Sequence, residues 1–218
     1  MALAEGQVMT PIVILGAGGH GRVVQELIRA LGIYEVVGFL DRGEPGLRPG
    51  GVRVLGGDDM LPELHRQGVR HAFAAVGANA LRERIGNDLR RMDMEQPSLV
   101  HPTAFLAPSA RVSEGALVMA RAVVGTDARL APFAILNTGA IVDHDADLGI
   151  ACHVAPGCAL AGNVTVGART LIGVGSSVRP EITIGADVVI GAGSAVVRDI
   201  EDGARVAGAP ARPLGSRS

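Results

Sequence analysis

Aromatic side chains, cysteines and long apolar stretches are scarce in this chain of 218 residues. It contains no tryptophan, one tyrosine and four phenylalanines, which are too few rings to stack the bases of a nucleic acid. A formal net charge of −2 offers no electrostatic attraction to a phosphate backbone either. The hydrophobic residues form short runs, none of which approaches the ~20 apolar residues of a membrane span. We therefore expect a protein that binds neither nucleic acid nor a membrane.

Cysteine occurs only twice, as Cys152 and Cys158. Both occupy a small-residue position of the repeat described below, so we expect buried thiols that form no disulfide in a reducing compartment. The first ten residues lack the basic cluster and the apolar core of a signal peptide. We expect them to form an N-terminal extension, and we expect the protein to be cytoplasmic.

An aliphatic residue recurs at every sixth position from Val100 to Val196, without one insertion. An α-helical stripe needs apolar residues three and four positions apart, so this period excludes a helix. Four residues after most of these aliphatic positions stands Ala, Cys, Ser or Thr, which suits a chain that turns tightly inside a narrow prism. The pattern predicts a parallel β-helix of hexapeptide repeats, with three hexads, or 18 residues, in each coil.

Strands and helices alternate before this repeat begins. The predicted strands are 12–15, 36–41 and 71–76, a loop rich in Gly and Pro spans 43–51, and one helix is led by Asp58 and Asp59 while another spans 79–92. The helix after the first strand places Val23, Val24, Leu27, Ile28 and Leu31 on one face and ends at Gly32. This alternation predicts a small Rossmann-like parallel sheet. We place the first domain at 1–97 and the β-helix with its C-terminal tail at 98–218.

A Gly16-x-Gly18-x-x-Gly21 pattern follows the first strand and opens the first helix. In that context glycines let backbone N–H groups approach a pyrophosphate at the helix N-terminus. Asp41 lies where such folds place an acid against a ribose or a base. About ninety residues hold only half of a dinucleotide fold, which favours a mononucleotide or a nucleotide sugar over NAD. The alternative is a tight turn without a ligand, in which His20 caps the turn instead of donating to a phosphate.

Polar residues interrupt the plain hexads around His144 and His153. Neither histidine occupies an inward position, so both side chains project from the solenoid. Imidazole can accept a proton near neutral pH, and Asp145 or Asp143 can orient the His144 ring, so we predict a general base. Neighbouring residues on a strand alternate in direction, which leaves too few converging ligands for zinc, and we expect no metal. A pocket between two subunits brings both histidines together most easily, which predicts a homo-oligomer.

Six segments of the chain resemble one family of bacterial enzymes. They are Gly16-Ala-Gly-Gly-His-Gly-Arg22, Gly38-Phe-Leu-Asp41, Ala75-Val-Gly-Ala-Asn79, Leu99-Val-His-Pro102, Asp143-His144-Asp145 and Val206-Ala-Gly-Ala-Pro-Ala211. The chain is similar over nearly its whole length to hexapeptide acyltransferases of the sialic acid O-acetyltransferase-like group. The resemblance is greatest to the N-acetyltransferases that act on nucleotide-linked 4-amino-sugars, such as GDP-perosamine N-acetyltransferase.

This resemblance implies a left-handed β-helix, a homotrimer and acetyl-CoA bound between adjacent subunits. It implies direct transfer of the acetyl group to the amine of a nucleotide-linked amino-sugar, for synthesis of lipopolysaccharide or another glycan. His144 matches the family's general base and Asp145 the acid that orients it. His153 and Gly162 match residues at the acetyl group, and Val174 and Ala192 match residues along the cofactor. The residues that match the nucleotide-sugar site are Gly18, His20, Asp41, Arg42, Asn79 and Asn137. Gly162 would supply a backbone amide to the thioester oxygen.

The substrate and the class of activity leave alternatives. Asp41 and Arg42 could favour guanine, or they could contact uracil or the ribose. GDP-perosamine is therefore the leading substrate, and a UDP-linked 4-amino-sugar is the second. The same base could serve O-acetylation of a sialic-acid-like sugar. A non-enzymatic nucleotide-binding module that trimerises through its solenoid, and a zinc hydratase, are the rival classes.

Overall fold

The computed structural model describes residues 9–43, 46–47 and 50–214. It divides the chain into two compact units, Met1–Leu99 and Val100–Ser218. The expected N-terminal extension lies largely outside the described residues, as does part of the loop expected at 43–51.

The first unit is built on a five-stranded sheet with the order β3-β4-β2-β1-β5. Its strands are β1 (Thr10–Leu15), β2 (Tyr34–Leu40), β3 (Gly46–Leu47), β4 (Arg53–Gly56) and β5 (His71–Ala74). Its helices are α1 (Gly19–Leu31), α2 (Leu61–Arg66), which a 3₁₀ turn at Asp58–Met60 precedes, and α3 (Asn79–Arg91). All strand pairs are parallel except β3 with β4. The alternating α/β fold is confirmed, whereas β3 and β4 were not expected, because two- and four-residue strands carry almost no periodic signal.

Helix α1 packs through a face that differs in one respect from the expected stripe. Val24, Leu27 and Ile28 are buried, but Val23 is 42% exposed. Gln25 is buried instead, since its side-chain amide donates to the Gly50 carbonyl oxygen at 3.1 Å. The helix ends at Gly32, whose φ of 67° suits glycine, as expected.

The second unit is a three-sided parallel β-helix of two-residue strands. In chain order they are β6 (Leu99–Val100), β7 (Phe105–Leu106), β8 (Arg111–Val112), β9 (Leu117–Val118), β10 (Val123–Val124), β11 (Arg129–Leu130), β12 (Ile135–Leu136), β13 (Ile141–Val142), β14 (Asp147–Leu148), β15 (His153–Val154), β16 (Ala159–Leu160), β17 (Thr165–Val166), β18 (Leu171–Ile172), β19 (Ser177–Val178), β20 (Thr183–Ile184), β21 (Val189–Ile190) and β22 (Ala195–Val196). The three-residue strand β23 (Arg205–Ala207) and the strand β24 (Arg212–Pro213), which pairs antiparallel with β23, complete it.

Three stacked sheets form the faces of this prism. Face 1 begins with β6 and β9, face 2 with β7 and β10, and face 3 with β8 and β11. From β7 to β22 each strand residue pairs with the one 18 positions later, as Val123 does with Ile141, so the predicted coil length is confirmed there. The last coil is shorter, since Val189 pairs with Arg205, 16 positions later. We call the edge between faces 1 and 2 edge A, and the edge between faces 2 and 3 edge B.

The interior of the prism is filled by the two hexad positions that the sequence singled out. Val142, Leu148 and Val154 are fully buried, as are the small residues Ala140 and Cys152. Both cysteines are free. Burying each aliphatic side chain contributes about 1.5–3 kcal/mol, so a regular column of them can hold strands of only two residues.

Candidate active site

The glycine-rich turn after β1 combines packed and open positions. Gly16 has a φ of 106°, and a side chain there would approach the Ala75 carbonyl oxygen to 2.7 Å. A side chain at Gly21 would collide with the Gly16 carbonyl oxygen. A side chain at Gly18 or Gly19 would meet nothing within 4 Å, and no side chain caps the start of α1. The open amides at this N-terminus therefore suit an anion.

A pocket of about 220 Å³ lies beside this turn, at the carboxyl ends of β1, β2 and β5, where open parallel sheets bind ligands. Asp41 and Arg42 line it, as does Gly16, and the pocket also exposes Asp58 and Arg84. The sequence did not indicate Asp58 and Arg84 as site residues, because only the tertiary structure brings the 3₁₀ turn and α3 to this pocket. The pocket therefore offers two carboxylates and two guanidinium groups to a ligand.

Asp41 also holds the turn together. One of its carboxylate oxygens accepts a hydrogen bond from the Ala17 N–H at 2.7 Å, and the other accepts from the Gly43 N–H at 3.1 Å. These contacts fix the backbone of the glycine-rich turn relative to the end of β2. The residue that the sequence suggested as a ligand contact thus shapes the pocket as well.

The buried guanidinium group of Arg82 lies at the loop between β5 and α3. Arg82 is 1% exposed and donates to the carbonyl oxygens of Val76 and Gly77 and to Asn79 Oδ1. Burial and the positive charge of Arg82 lower the pKa of His20, so His20 is neutral near pH 7. Its Nε2 is a buried nitrogen without a hydrogen-bond partner among the described residues. Asn79 serves here as an acceptor for Arg82.

In the β-helix, the second residue after each inward aliphatic residue occupies what we call the corner position. Prolines occupy it in five hexads, as Pro102, Pro108, Pro132, Pro156 and Pro180. Within the described part of the chain, no corner-position N–H donates to a backbone carbonyl oxygen. Proline is tolerated there for that reason. Four predicted site residues occupy corner positions, namely His144, Gly162, Val174 and Ala192.

His144 projects outward from edge B, with 57% of its side chain exposed. Its Nδ1 donates to Asp145 Oδ2 at 2.8 Å, and its backbone N–H donates to Asp143 Oδ1 at 2.8 Å. The hydrogen bond to Asp145, together with the negative charges of Asp143 and Asp145, raises the pKa of His144 above its ordinary value; slight burial opposes the shift. Because the proton is on Nδ1, Nε2 is the basic nitrogen, as a general base requires.

Gly162 lies one coil further along edge B, directly under this ring. A side chain at Gly162 would overlap Cε1 and Nε2 of His144. The Gly162 carbonyl oxygen accepts from the Glu181 N–H at 3.1 Å, whereas its own N–H has no backbone acceptor among the described residues. The geometry therefore brings the basic nitrogen of His144 next to an available backbone donor.

Asn137 and His153 meet at edge A. Asn137 Nδ2 lies 3.1 Å from His153 Nε2, and Asn137 Oδ1 accepts from the Thr138 N–H at 2.8 Å. Val174, which is 55% exposed, and the exposed Ala192 occupy corner positions of the same edge in later coils. The predicted site residues of the β-helix thus divide between two edges that face 2 separates.

The described residues contain neither a metal-binding cluster nor a membrane-spanning helix. Among them, no group of three or more His, Cys, Asp or Glu residues is placed to hold a metal ion. No helix in the described ranges has the length and apolarity that crossing a membrane demands.

A hexapeptide β-helix with an outward histidine–carboxylate pair, joined to an α/β unit with an open glycine turn, defines the class of the hexapeptide-repeat acyltransferases. Comparison with known proteins gives the family. Residues 11–89 match the family model described as the PglD N-terminal domain. The chain is 44% identical to PerB from Caulobacter crescentus, whose crystal structure holds CoA and GDP-perosamine; the TM-score is 0.90, with 99% of this chain and 100% of the other covered.

Two further proteins are similar to the chain. The acetyltransferase domain of PglB from Neisseria gonorrhoeae, solved with acetyl coenzyme A, is 40% identical, with a TM-score of 0.91 and coverage of 95% of this chain and 100% of that domain. UDP-N-acetylbacillosamine N-acetyltransferase from Bacillus subtilis is 37% identical over 113 residues, or 51% of this chain and 52% of the enzyme. That match spans only about half the length of the curated relative.

The chain belongs to the family of CoA-dependent amino-sugar N-acetyltransferases that includes PerB. The expected fold, an α/β unit followed by a left-handed β-helix, is confirmed.

Proposed function

We propose that this protein transfers the acetyl group of acetyl-CoA to the 4-amino group of a nucleotide-linked amino-sugar, with GDP-perosamine as the leading substrate and a UDP-linked 4-amino-sugar as the second. The observation that carries the proposal is the contact of His144 with Asp145 on one side and Gly162 on the other. PerB, which is similar over its whole length, binds CoA and GDP-perosamine.

The reaction follows from the groups at edge B. The amine attacks the acetyl carbonyl carbon, and His144 Nε2 accepts the proton that the nitrogen loses as the N–C bond forms. The carbonyl oxygen becomes anionic and accepts a hydrogen bond from the Gly162 N–H. Removing a donor of this type raises the activation free energy by about 3–4 kcal/mol. The C–S bond then breaks, and the thiolate of CoA takes a proton from His144. No covalent enzyme intermediate is needed, and both cysteines are buried in the prism.

The nucleotide end is assigned to the α/β unit. The open amides of the glycine turn suit the diphosphate, and the neutral His20 can donate to a phosphate oxygen. Guanine carries neighbouring N–H donors, which suit a carboxylate, and Asp58 supplies one in the pocket beside Asp41. These features favour GDP over UDP.

We also propose that the active unit is a homotrimer in the cytoplasm. His144 and Gly162 lie on edge B, whereas Asn137 and His153 lie on edge A, so one site that uses both sets needs edges from two copies. Face 2 carries an outward apolar column that a second copy would cover, made of Phe105 at 59% exposure, Val123, Ile141 at 43% exposure and Ala159. A fully active monomer in sedimentation would contradict this.

A thiol-release assay tests the activity. The purified protein is incubated with acetyl-CoA and with GDP-, UDP- or dTDP-linked 4-amino-sugars, and free CoA is measured against a sample without sugar. We expect release with a nucleotide amino-sugar, fastest with GDP-perosamine. Release with free sialic acid alone would support O-acetylation, and binding without any release would support a non-enzymatic module. Activity that is lost with a chelator would support a zinc enzyme.

A further inference from the structure

His144 and His153 of the β-helix both lie outside its core, but their ring nitrogens have opposite surroundings. In His144, Nδ1 donates to a carboxylate, and Nε2 has no hydrogen-bond partner in the described part of the chain. In His153, Nε2 lies 3.1 Å from Nδ2 of Asn137. The second contact determines which nitrogen of His153 carries a proton, provided that the orientation of the Asn137 amide is known.

The Thr138 backbone N–H fixes that orientation. It lies 2.8 Å from Asn137 Oδ1, and the Thr138 hydroxyl donates to the same oxygen at 3.4 Å. If the amide were turned over, its NH₂ group would oppose the Thr138 N–H, donor against donor. Asn137 therefore presents an N–H to His153, and Nε2 of His153 must accept it.

We propose that Asn137, oriented by the Thr138 backbone N–H, is a positioning residue that holds His153 as the neutral imidazole protonated at Nδ1. With its basic nitrogen occupied, His153 cannot take a proton from the amine. It acts as a hydrogen-bond donor to the acyl group, and His144 is the sole base of the pair. The assignment of these two roles rests on the proposed function, whereas the tautomer of His153 does not.

A single substitution at position 138 can remove the orienting N–H. Position 138 is a corner position, and five other hexads carry proline there. Thr138→Pro therefore removes the orienting N–H at a turn that accepts proline. Thr138→Val is the matched control, because it removes the Thr138 hydroxyl, which is the longer of the two contacts with Asn137 Oδ1, and keeps the backbone N–H. Circular dichroism and thermal unfolding of both variants confirm that the coil is retained.

The tautomer can be observed by NMR on the ligand-free protein with ¹⁵N-labelled histidine. The chain has six histidines, and the spin system of His153 is the one that His153→Gln removes. We expect long-range ¹H–¹⁵N correlations to show a protonated Nδ1 and an unprotonated Nε2 in the wild type and in Thr138→Val. We expect a mixture of tautomers in Thr138→Pro.

Asn137→Asp is the second variant and does not depend on proline. Its carboxylate can accept from both the Thr138 N–H and the His153 ring, so we expect Nε2 of His153 to become protonated. A protonated Nε2 in the wild type would overturn the proposal. An unprotonated Nε2 in both Thr138→Pro and Asn137→Asp would also overturn it.

Kinetics then test the role. In His153→Asn the amide nitrogen can take the place of Nδ1–H, so we expect kcat at least tenfold above that of His153→Ala, with a similar KM for acetyl-CoA. Equal kcat values for the two variants would contradict the donor role. If no amino-sugar is acetylated by the wild type, the proposed function fails, while the NMR result on the tautomer still stands.

Discussion

The β-helix and the α/β unit differ in how easily candidate functional residues can be told apart from structural ones. In the β-helix the inward hexad positions fill the core, so an outward polar residue such as His144 is not needed for packing and is easily recognised. In the α/β unit, polar residues that we propose as ligand contacts also hold the structure. Asp41 holds the glycine turn, and Asn79 holds the buried Arg82. A regular scaffold therefore separates stability from function, whereas an irregular one combines them.

The largest effect that this comparison predicts is that of His144→Ala. We expect kcat to fall about 10²- to 10⁴-fold, because a positioned base contributes that much, while the KM for acetyl-CoA changes little. Steady-state thiol release measures both constants. Asp147→Ala, an outward carboxylate on β14 of the same region, is the control and should leave kcat unchanged. Near-normal turnover in His144→Ala at neutral pH would exclude this base.

Gly162→Ala should have the next largest effect, since the added methyl group displaces the His144 ring. A misplacement of about 1 Å can cost about 100-fold in rate, and we expect a loss of that order in kcat. The backbone itself accepts a side chain, as Ala168 and Ala192 occupy equivalent corner positions.

A double-mutant cycle isolates this effect. In the His144→Ala background the same change at Gly162 should cost almost nothing further in kcat. Additive losses would show that Gly162 acts independently of the His144 ring.

Asp145→Asn should change the pH profile as well as the rate. The Asp145 carboxylate raises the pKa of His144, and the base works only when it is unprotonated, so activity falls as the pH drops through that raised pKa. Without the carboxylate, the pKa moves back toward about 6.5, and the acid limb of kcat shifts to lower pH.

The plateau kcat of Asp145→Asn should fall roughly 10-fold. That loss is far below the ~10⁴-fold cost in a buried catalytic triad, since this carboxylate is 60% exposed. Asp143→Asn is the matched control, with a smaller shift in the same direction. An unchanged acid limb in Asp145→Asn would contradict the assignment of His144.

Asp41→Asn should have the smallest effect, confined to the α/β unit. Loss of the charged acceptor for the Ala17 N–H should raise the KM for the nucleotide sugar about tenfold, equivalent to ~1.4 kcal/mol. We expect kcat and the KM for acetyl-CoA to stay constant. Asp59→Asn, on the neighbouring 3₁₀ turn, is the control. A fall in kcat would show that the two regions are not separable in this way.

The hexads predicted the β-helix, its coil length, its inward positions and the absence of His144 and His153 from the core, because each depends only on a local period. The Gly16–Gly21 motif likewise predicted the turn before α1. The contribution of Asp58 and Arg84 to the pocket could not be predicted, since they come from separate elements that meet at the strand ends. Nor could the sequence predict that Gln25 rather than Val23 is buried, because the Gly50 carbonyl oxygen, which accepts from the Gln25 amide, is a tertiary partner.

The sequence by itself determined the architecture and the identity of the groups that can carry chemistry, since periodicity and residue type are local properties. The tertiary structure alone decided their partners. It laid His144 over Gly162, 18 residues away, and it put an N–H of Asn137 against His153. Hydrogen bonds depend on distances and directions between stacked coils, and these fix which nitrogen of each histidine is basic.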